Sequence, residues 1–224
     1  MTTSFRAGLD WLFFDLGETL FDETGALRVR ARQVCRLLEG MGISASDQQV
    51  LEAISDAAAG FSKVPIHDAV VALCGTQLTV EEVRAAAPYD HTKETVRDGA
   101  AEVLATLVER YRLGVIANQT AGAADRLRQR GLADFFEVCV TSAEAGHAKP
   151  APEIFHLALA EAGCSPGGAA MIGDRLDNDV RPANRLGMTT IRLRQGYAAR
   201  QRPRDALDRP DLTVHDLPAL LRYL

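Results

Sequence analysis

Apolar positions along this chain change character three times. Trp11-Leu12-Phe13-Phe14 is a short unbroken apolar run that stops at Asp15. Its length and aromatic content predict a buried strand, and Leu16-Gly17-Glu18-Thr19 after it predicts a turn. From Ala26 to Pro88 the spacing becomes helical, through Val29, Val34, Leu37 and Leu38, then Val50, Leu51 and Ile54, then Val70, Val71 and Leu73. Turn signals at Gly40-Met41-Gly42, Val64-Pro65 and Gly75 divide this block into about four helices. No strand is predicted inside it, so it reads as a helical bundle inserted into something else.

After Asp98-Gly99 helical and strand patterns alternate. Helices are predicted over Ala101 to Tyr111, Ala121 to Arg130, Pro152 to Ala162 and, despite Pro182, Asn178 to Leu186. Strands are predicted at Leu113 to Ala117, Phe135 to Thr141, Ala169 to Ile172 and Thr189 to Leu193. Leu212 to Val214 and a short helix from Leu217 close the chain. Such alternation makes a parallel sheet covered on both faces, an α/β fold that includes the first strand although the helical block separates it.

Composition narrows the function classes. A length of 224 residues supports one good core plus a modest second domain. Forty-seven per cent apolar and 25% charged residues are the proportions of a soluble globular protein. A net charge of −5 argues against nucleic acid as the main partner. No apolar run approaches the roughly 18 residues of a membrane span. Met1 to Arg6 lacks the basic patch and apolar stretch of a secretory signal. The widely spaced Cys35, Cys74, Cys139 and Cys164 form no metal-binding pairs, and free, mostly buried thiols fit a reducing cytoplasm. The Arg-rich stretch from Arg192 to Arg209, interrupted by Asp205, Asp208 and Asp211, reads as a solvated loop.

In an open parallel sheet, ligands sit beyond the carboxyl ends of the strands. Asp15, Asn118, Asp174 and Asp179 all follow predicted strands. Singly, Asp15 has an ordinary alternative as a helix cap and Asp174 as a helix start. Together the three acids would repel one another unless a cation stood between them, and oxygen donors suit Mg²⁺ rather than zinc. Lys149 lies in Gly146-His147-Ala148-Lys149-Pro150, in a chain with only two other lysines, Lys63 and Lys93. A generic surface lysine is the ordinary explanation, but that scarcity, opposite an acid cluster, favours charge neutralisation. His147 is read as a loop residue without a role.

Four segments in this order resemble the haloacid-dehalogenase-like superfamily: Phe14-Asp15-Leu16-Gly17-Glu18-Thr19-Leu20, Ile116-Ala117-Asn118-Gln119, Lys149-Pro150-Ala151-Pro152-Glu153-Ile154-Phe155, and Ile172-Gly173-Asp174 with Asp179 beyond. The resemblance implies a Rossmann-like core over 1–23 and 96–224 with a helical cap over 24–95. It implies a Mg²⁺-dependent phosphatase acting on a small phosphorylated metabolite, in which Asp15 is the nucleophile and Lys149 steadies it and the phosphoryl oxygens. Asp15, the Gly17 carbonyl and Asp174 become the metal ligands, with Asp179 in direct or water-mediated support. Ala117 and Asn118 become backbone phosphate donors.

Two positions depart from the family pattern. Gly17 stands where a second aspartate serves as general acid and base, and Ala117 where a hydroxyl binds phosphate, with Thr120 close by. Losing a general acid costs about 10²- to 10⁴-fold in rate, which predicts a slow enzyme biased toward activated phosphates, or a long-lived phosphoenzyme. Glu18 is a candidate substitute acid; its ordinary alternative is to face solvent or hold the turn. Competing readings are a degenerate binding protein, carbon–halogen hydrolysis, and carbon–phosphorus cleavage through Lys63 or Lys93. The cap carries no recognisable substrate signature beyond the candidates Lys63, His67 and Asp68, and the oligomeric state is not legible.

Overall fold

The computed structural model describes residues 8–224, so the reading of Met1 to Arg6 lies outside the described residues. Its strands are β1 (Trp11–Phe14), β2 (Phe21–Asp22), β3 (Thr95–Val96), β4 (Arg112–Ala117), β5 (Val138–Thr141), β6 (Ala169–Gly173), β7 (Thr189–Leu193) and β8 (Leu212–Val214). Six form one sheet in the order β5-β4-β1-β6-β7-β8, and every pairing in it is parallel. β2 and β3 form a separate two-stranded ladder. The chain divides into two compact units, one carrying the sheet, the other Asp22–Thr95 together with Gly196–Arg202.

Alternation along β1 builds the sheet unit. Leu12 and Phe14 enter one core with Leu113, Val115, Ala170 and Ile172. Trp11 and Phe13 enter a second, on the opposite face, with Ile116, Val138 and Met171. Helices Ala100–Leu107 and Ala123–Gln129 contribute to the first core, and Pro152–Ala162 contributes to the second. Both faces are therefore dry, which is why β1 is apolar at every position rather than at alternate ones. Burying each such side chain contributes about 1.5–3 kcal/mol. Gly114, the register partner of Phe13, leaves room for that ring: a Cβ there would stand 2.6 Å from it.

Several local expectations are corrected. The helix expected to reach Tyr111 ends at Leu107. The strand expected from Phe135 begins at Val138, because Ala133–Phe135 closes a 3-10 turn first. Asn178 to Leu186 is not one helix. A π-helical turn, Leu176–Val180, precedes a fresh helix at Arg181–Leu186, and Pro182 sits in its first turn, where a missing N–H breaks no helical bond. The Arg192–Arg209 stretch is largely the exposed loop expected, with Arg194, Arg200, Arg202, Arg204, Asp205 and Arg209 exposed, but it is anchored at three places. Arg192 is buried within β7, Gly196–Arg202 groups with the helical unit, and Asp208 is fully buried. The four cysteines are free but only partly buried.

In the helical unit, helices Thr24–Gly40, Asp47–Ala59, Pro65–Cys74 and Val80–Ala86 bury Val34, Leu38, Val50, Ile54, Val70 and Val83 together. Ser46 with Gln49, and Thr79 with Glu82, form capping boxes that start two of them. Gly196–Arg202 belongs here through specific bonds. Ser55 Oγ donates to the Tyr197 carbonyl at 3.1 Å, and Gln201 Nε2 to the Ala58 carbonyl at 3.0 Å. Among the described residues, no helix is long and apolar enough to cross a membrane.

Candidate active site

β1 sits between β4 and β6. The strands that follow it run outward to one side as β4 and β5 and then to the other as β6, β7 and β8, and such a reversal is where an open sheet opens a crevice at its carboxyl edge. Asp15 follows β1, Asn118 follows β4, and Asp174 follows β6. The sheet thus brings together residues that lie more than a hundred positions apart.

One carboxylate oxygen from each of Asp15, Asp174 and Asp179 lies within 4.8 Å of the others. Lys149 Nζ donates to Asp15 Oδ1 at 2.7 Å and to Asp179 Oδ1 at 2.6 Å, with the lysine only 4% exposed. The second Asp179 oxygen accepts the Arg175 backbone N–H at 2.9 Å. Both Asp179 oxygens thus accept a hydrogen bond. Asp174 differs. Its Oδ2 is buried without a hydrogen-bond partner, an arrangement costing about 1–3 kcal/mol or more unless a cation meets it. That orphaned oxygen, beside two other carboxylates, fits a hard divalent ion with oxygen ligands.

Electrostatics agree with the geometry. Burial pushes the Asp174 carboxyl well above its ordinary range, and the neighbouring Asp179 and Asp15 charges push it further. Burial likewise raises Asp179, against the pull of Lys149. Burial alone would lower the Lys149 ammonium, but Asp15 and Asp179 outweigh it and hold it above its usual value.

Gly17 lies in the turn after β1 and bridges to Phe21. Ala117 ends β4, buried, in register with Thr141. Asn118 is exposed, and its side-chain amide bonds the main chain of Lys149 at both ends. His147 is exposed, and the Thr120 carbonyl accepts from Arg126 at 3.2 Å. Glu18 does not face solvent. It is 2% exposed, adopts a left-handed backbone with φ of 54°, and pairs its carboxylate with Arg97. Its carbonyl accepts from Arg97 Nε at 3.2 Å and Gln195 Nε2 at 2.7 Å, so it holds the turn.

Three contributors escaped sequence reading. Arg97 and Gln195 anchor Glu18 from 79 and 177 positions away. Gly173 cradles Asp179: a Cβ there would fall 2.4 Å from Asp179 Oδ2. The glycine was visible before Asp174, but its reason lies in a side chain six residues on.

The family model for haloacid dehalogenase-like hydrolases matches residues 9–187. The chain belongs to this family. Among its relatives, a glyceraldehyde 3-phosphate phosphatase of Methanopyrus kandleri is 30% identical over 213 residues, covering 91% of each chain. A phosphoserine phosphatase of Thermus thermophilus is 38% identical over 121 residues, covering 52% of this chain and 47% of that protein. The crystal structure of a HAD phosphatase from Thermococcus onnurineus superposes with a TM-score of 0.64 at 25% identity, covering 95% of this chain and 96% of that one. This haloacid dehalogenase-like hydrolase is thus an enzyme with a Rossmann-like sheet, and both relatives named here are phosphatases.

Proposed function

We propose that this hydrolase is a Mg²⁺-dependent phosphatase of small phosphorylated metabolites that works through an aspartyl-phosphate on Asp15. The observation that carries the reading is Lys149 Nζ, 2.7 Å from Asp15 Oδ1, beside an acid cluster whose Asp174 Oδ2 has no other partner. An Asp15 carboxylate approaches an anionic phosphate only where positive charge offsets the repulsion. Lys149 supplies part of it. Asp15, Asp174 and the Gly17 carbonyl, with Asp179 in support, would hold Mg²⁺, and a bound ion would supply the remaining positive charge at the phosphoryl group.

Asp15 Oδ attacks phosphorus, and the bond from phosphorus to the leaving oxygen breaks with its electron pair on that oxygen. Gly17 carries no carboxyl to protonate it, and Glu18 is tied into its pair with Arg97. Leaving groups that depart as stable anions, such as phenolates or acylates, suit this site. Water then attacks the aspartyl-phosphate phosphorus, freeing Asp15, and its proton leaves to solvent. Ala117 brings no hydroxyl, so backbone N–H groups at Ala117 and Asn118 are the donors left for phosphate. Carbon–halogen hydrolysis needs no cation and leaves the buried Asp174 without a purpose.

Turnover of an aryl phosphate tests this with Mg²⁺, with chelator, and with Asp15→Asn. Activity is expected only with both Mg²⁺ and Asp15. Glyceraldehyde 3-phosphate and phosphoserine, the substrates named for the relatives, belong on the panel as alkyl phosphates. No turnover above background on any of them would favour a binding protein without catalysis.

A further inference from the structure

Lys149 is held by its main chain as well as by its charge. Asn118 Nδ2 donates to the Lys149 carbonyl at 2.9 Å, and Asn118 Oδ1 accepts the Lys149 backbone N–H at 2.7 Å. The amide of one side chain thus closes on both polar groups of a single residue 31 positions away. The segment around Asn118 is fastened too. The Gln119 N–H donates to Ser142 Oγ at 3.0 Å, and Ser142 Oγ donates back to the Gln119 carbonyl at 3.1 Å. At the far end of Lys149, Nζ meets two carboxylates at 2.7 and 2.6 Å.

A lysine stem has four rotatable carbons and about 2 kcal/mol of rotamer entropy to lose. Carboxylates at its tip define where Nζ goes only if the stem starts from a fixed point. We infer that Asn118 is a positioning residue: its amide fixes the Lys149 backbone so that Nζ stands between Asp15 and Asp179. It acts on the reaction through Lys149 and not by touching substrate with its side chain. The catalytic half of this inference rests on the phosphatase reading above; the positional half does not.

The chain's lysine count makes a direct test possible. With only Lys63, Lys93 and Lys149 present, selective ¹³C,¹⁵N-lysine labelling yields three side-chain signals, and Lys149→Met assigns the relevant one. Asn118→Ala, which removes both bonds, is expected to move the Lys149 side-chain signal and leave the other two in place. Asn118→Asp, close to isosteric, keeps the acceptor and loses the donor; it should shift Lys149 less, and it serves if the alanine variant folds poorly. In turnover of an aryl phosphate, Asn118→Ala should lower kcat about 10- to 100-fold, the usual cost of losing a residue that orients a ligand, with KM little changed. The Asn118→Ala/Lys149→Met double variant should be no slower than Lys149→Met alone, because a residue acting only through Lys149 has nothing left to act on. An unmoved Lys149 signal in Asn118→Ala overturns the inference, as does full additivity in the double variant. Wild-type protein without turnover would instead sink the phosphatase reading, and the lysine spectra would still decide the position of Lys149.

Discussion

A glycine two residues after Asp15 has a calculable chemical consequence. General acid catalysis is worth about 10²- to 10⁴-fold, and it matters most for leaving groups that cannot depart as anions. Gly17→Asp is therefore expected to raise kcat/KM for an alkyl phosphate by up to that factor and to change an aryl phosphate far less. The ratio of the two rates is the measurement, and an unchanged ratio would show that proton supply does not limit this enzyme. Gly173 makes the converse case, a glycine whose loss should harm. An alanine Cβ there meets Asp179 at 2.4 Å, so the carboxylate must swing away from Lys149 and from the Arg175 N–H. Gly173→Ala should lower kcat about 10- to 100-fold with the circular dichroism spectrum intact, while Gly167→Ala, whose Cβ meets nothing within 4 Å, should change neither. That Asp15, Asp174 and Asp179 would come together was legible because acids after strand ends are chemically conspicuous, and Lys149 stood out by the scarcity of lysine. The side-chain partnership of Asn118 was not, since hydrogen bonds between residues 31 apart leave no local signature.

At the scale of elements, legibility followed packing. Helix Pro152–Ala162 and strand Thr189–Leu193 were readable to the residue, the helix through its proline start and the strand through its β-branched positions. The stretch after β7 is largely exposed as read, but the burial of Asp208 within it was not legible, because Arg and Asp look alike whether solvated or buried. Arg204 Nε donates to Asp208 Oδ2 at 2.6 Å and Arg181 Nη1 to Asp208 Oδ1 at 2.9 Å, pinning this segment to helix Arg181–Leu186. Burial alone would raise the Asp208 carboxyl, but bonds from Arg204 and Arg181 outweigh it and hold it at about 2, against an ordinary 3.8. A folded-state value below the unfolded one stabilises above the unfolded value and is lost as pH falls through the folded one. Asp208 should thus contribute about 2 kcal/mol at neutral pH, disappearing between about pH 4 and pH 2. Denaturant titrations of wild type and Asp208→Asn should differ by that amount at pH 7 and converge toward pH 2. A constant gap across that range would mean the carboxylate's charge is not what anchors the segment.

For the whole molecule, the acid cluster is a folding cost as well as a site. Three carboxylates share one region with one lysine, and Asp174 is raised well above its ordinary value by burial and by Asp179 and Asp15. A carboxyl raised on folding stabilises the folded state at low pH and loses that contribution as pH climbs through its raised range. Metal-free protein should therefore lose stability as pH rises from about 4 toward neutrality. A cation bound only by the folded state reverses this, adding about 2.7 kcal/mol at one hundred times its dissociation constant. For a chain of this length, that corresponds to roughly 5–10 °C in Tm. Calorimetry at pH 7.5 should show Tm rising by that order when Mg²⁺ replaces chelator. In Asp174→Asn the chelated protein should melt no lower than chelated wild type, since a like charge is gone, and the rise with Mg²⁺ should be lost. If Mg²⁺ left wild-type Tm unmoved and also left aryl phosphate turnover unchanged, the cluster would not be a metal site. Lys149 would then be the cation that holds these acids together, and the reaction would have to run on the lysine and Asp15 alone.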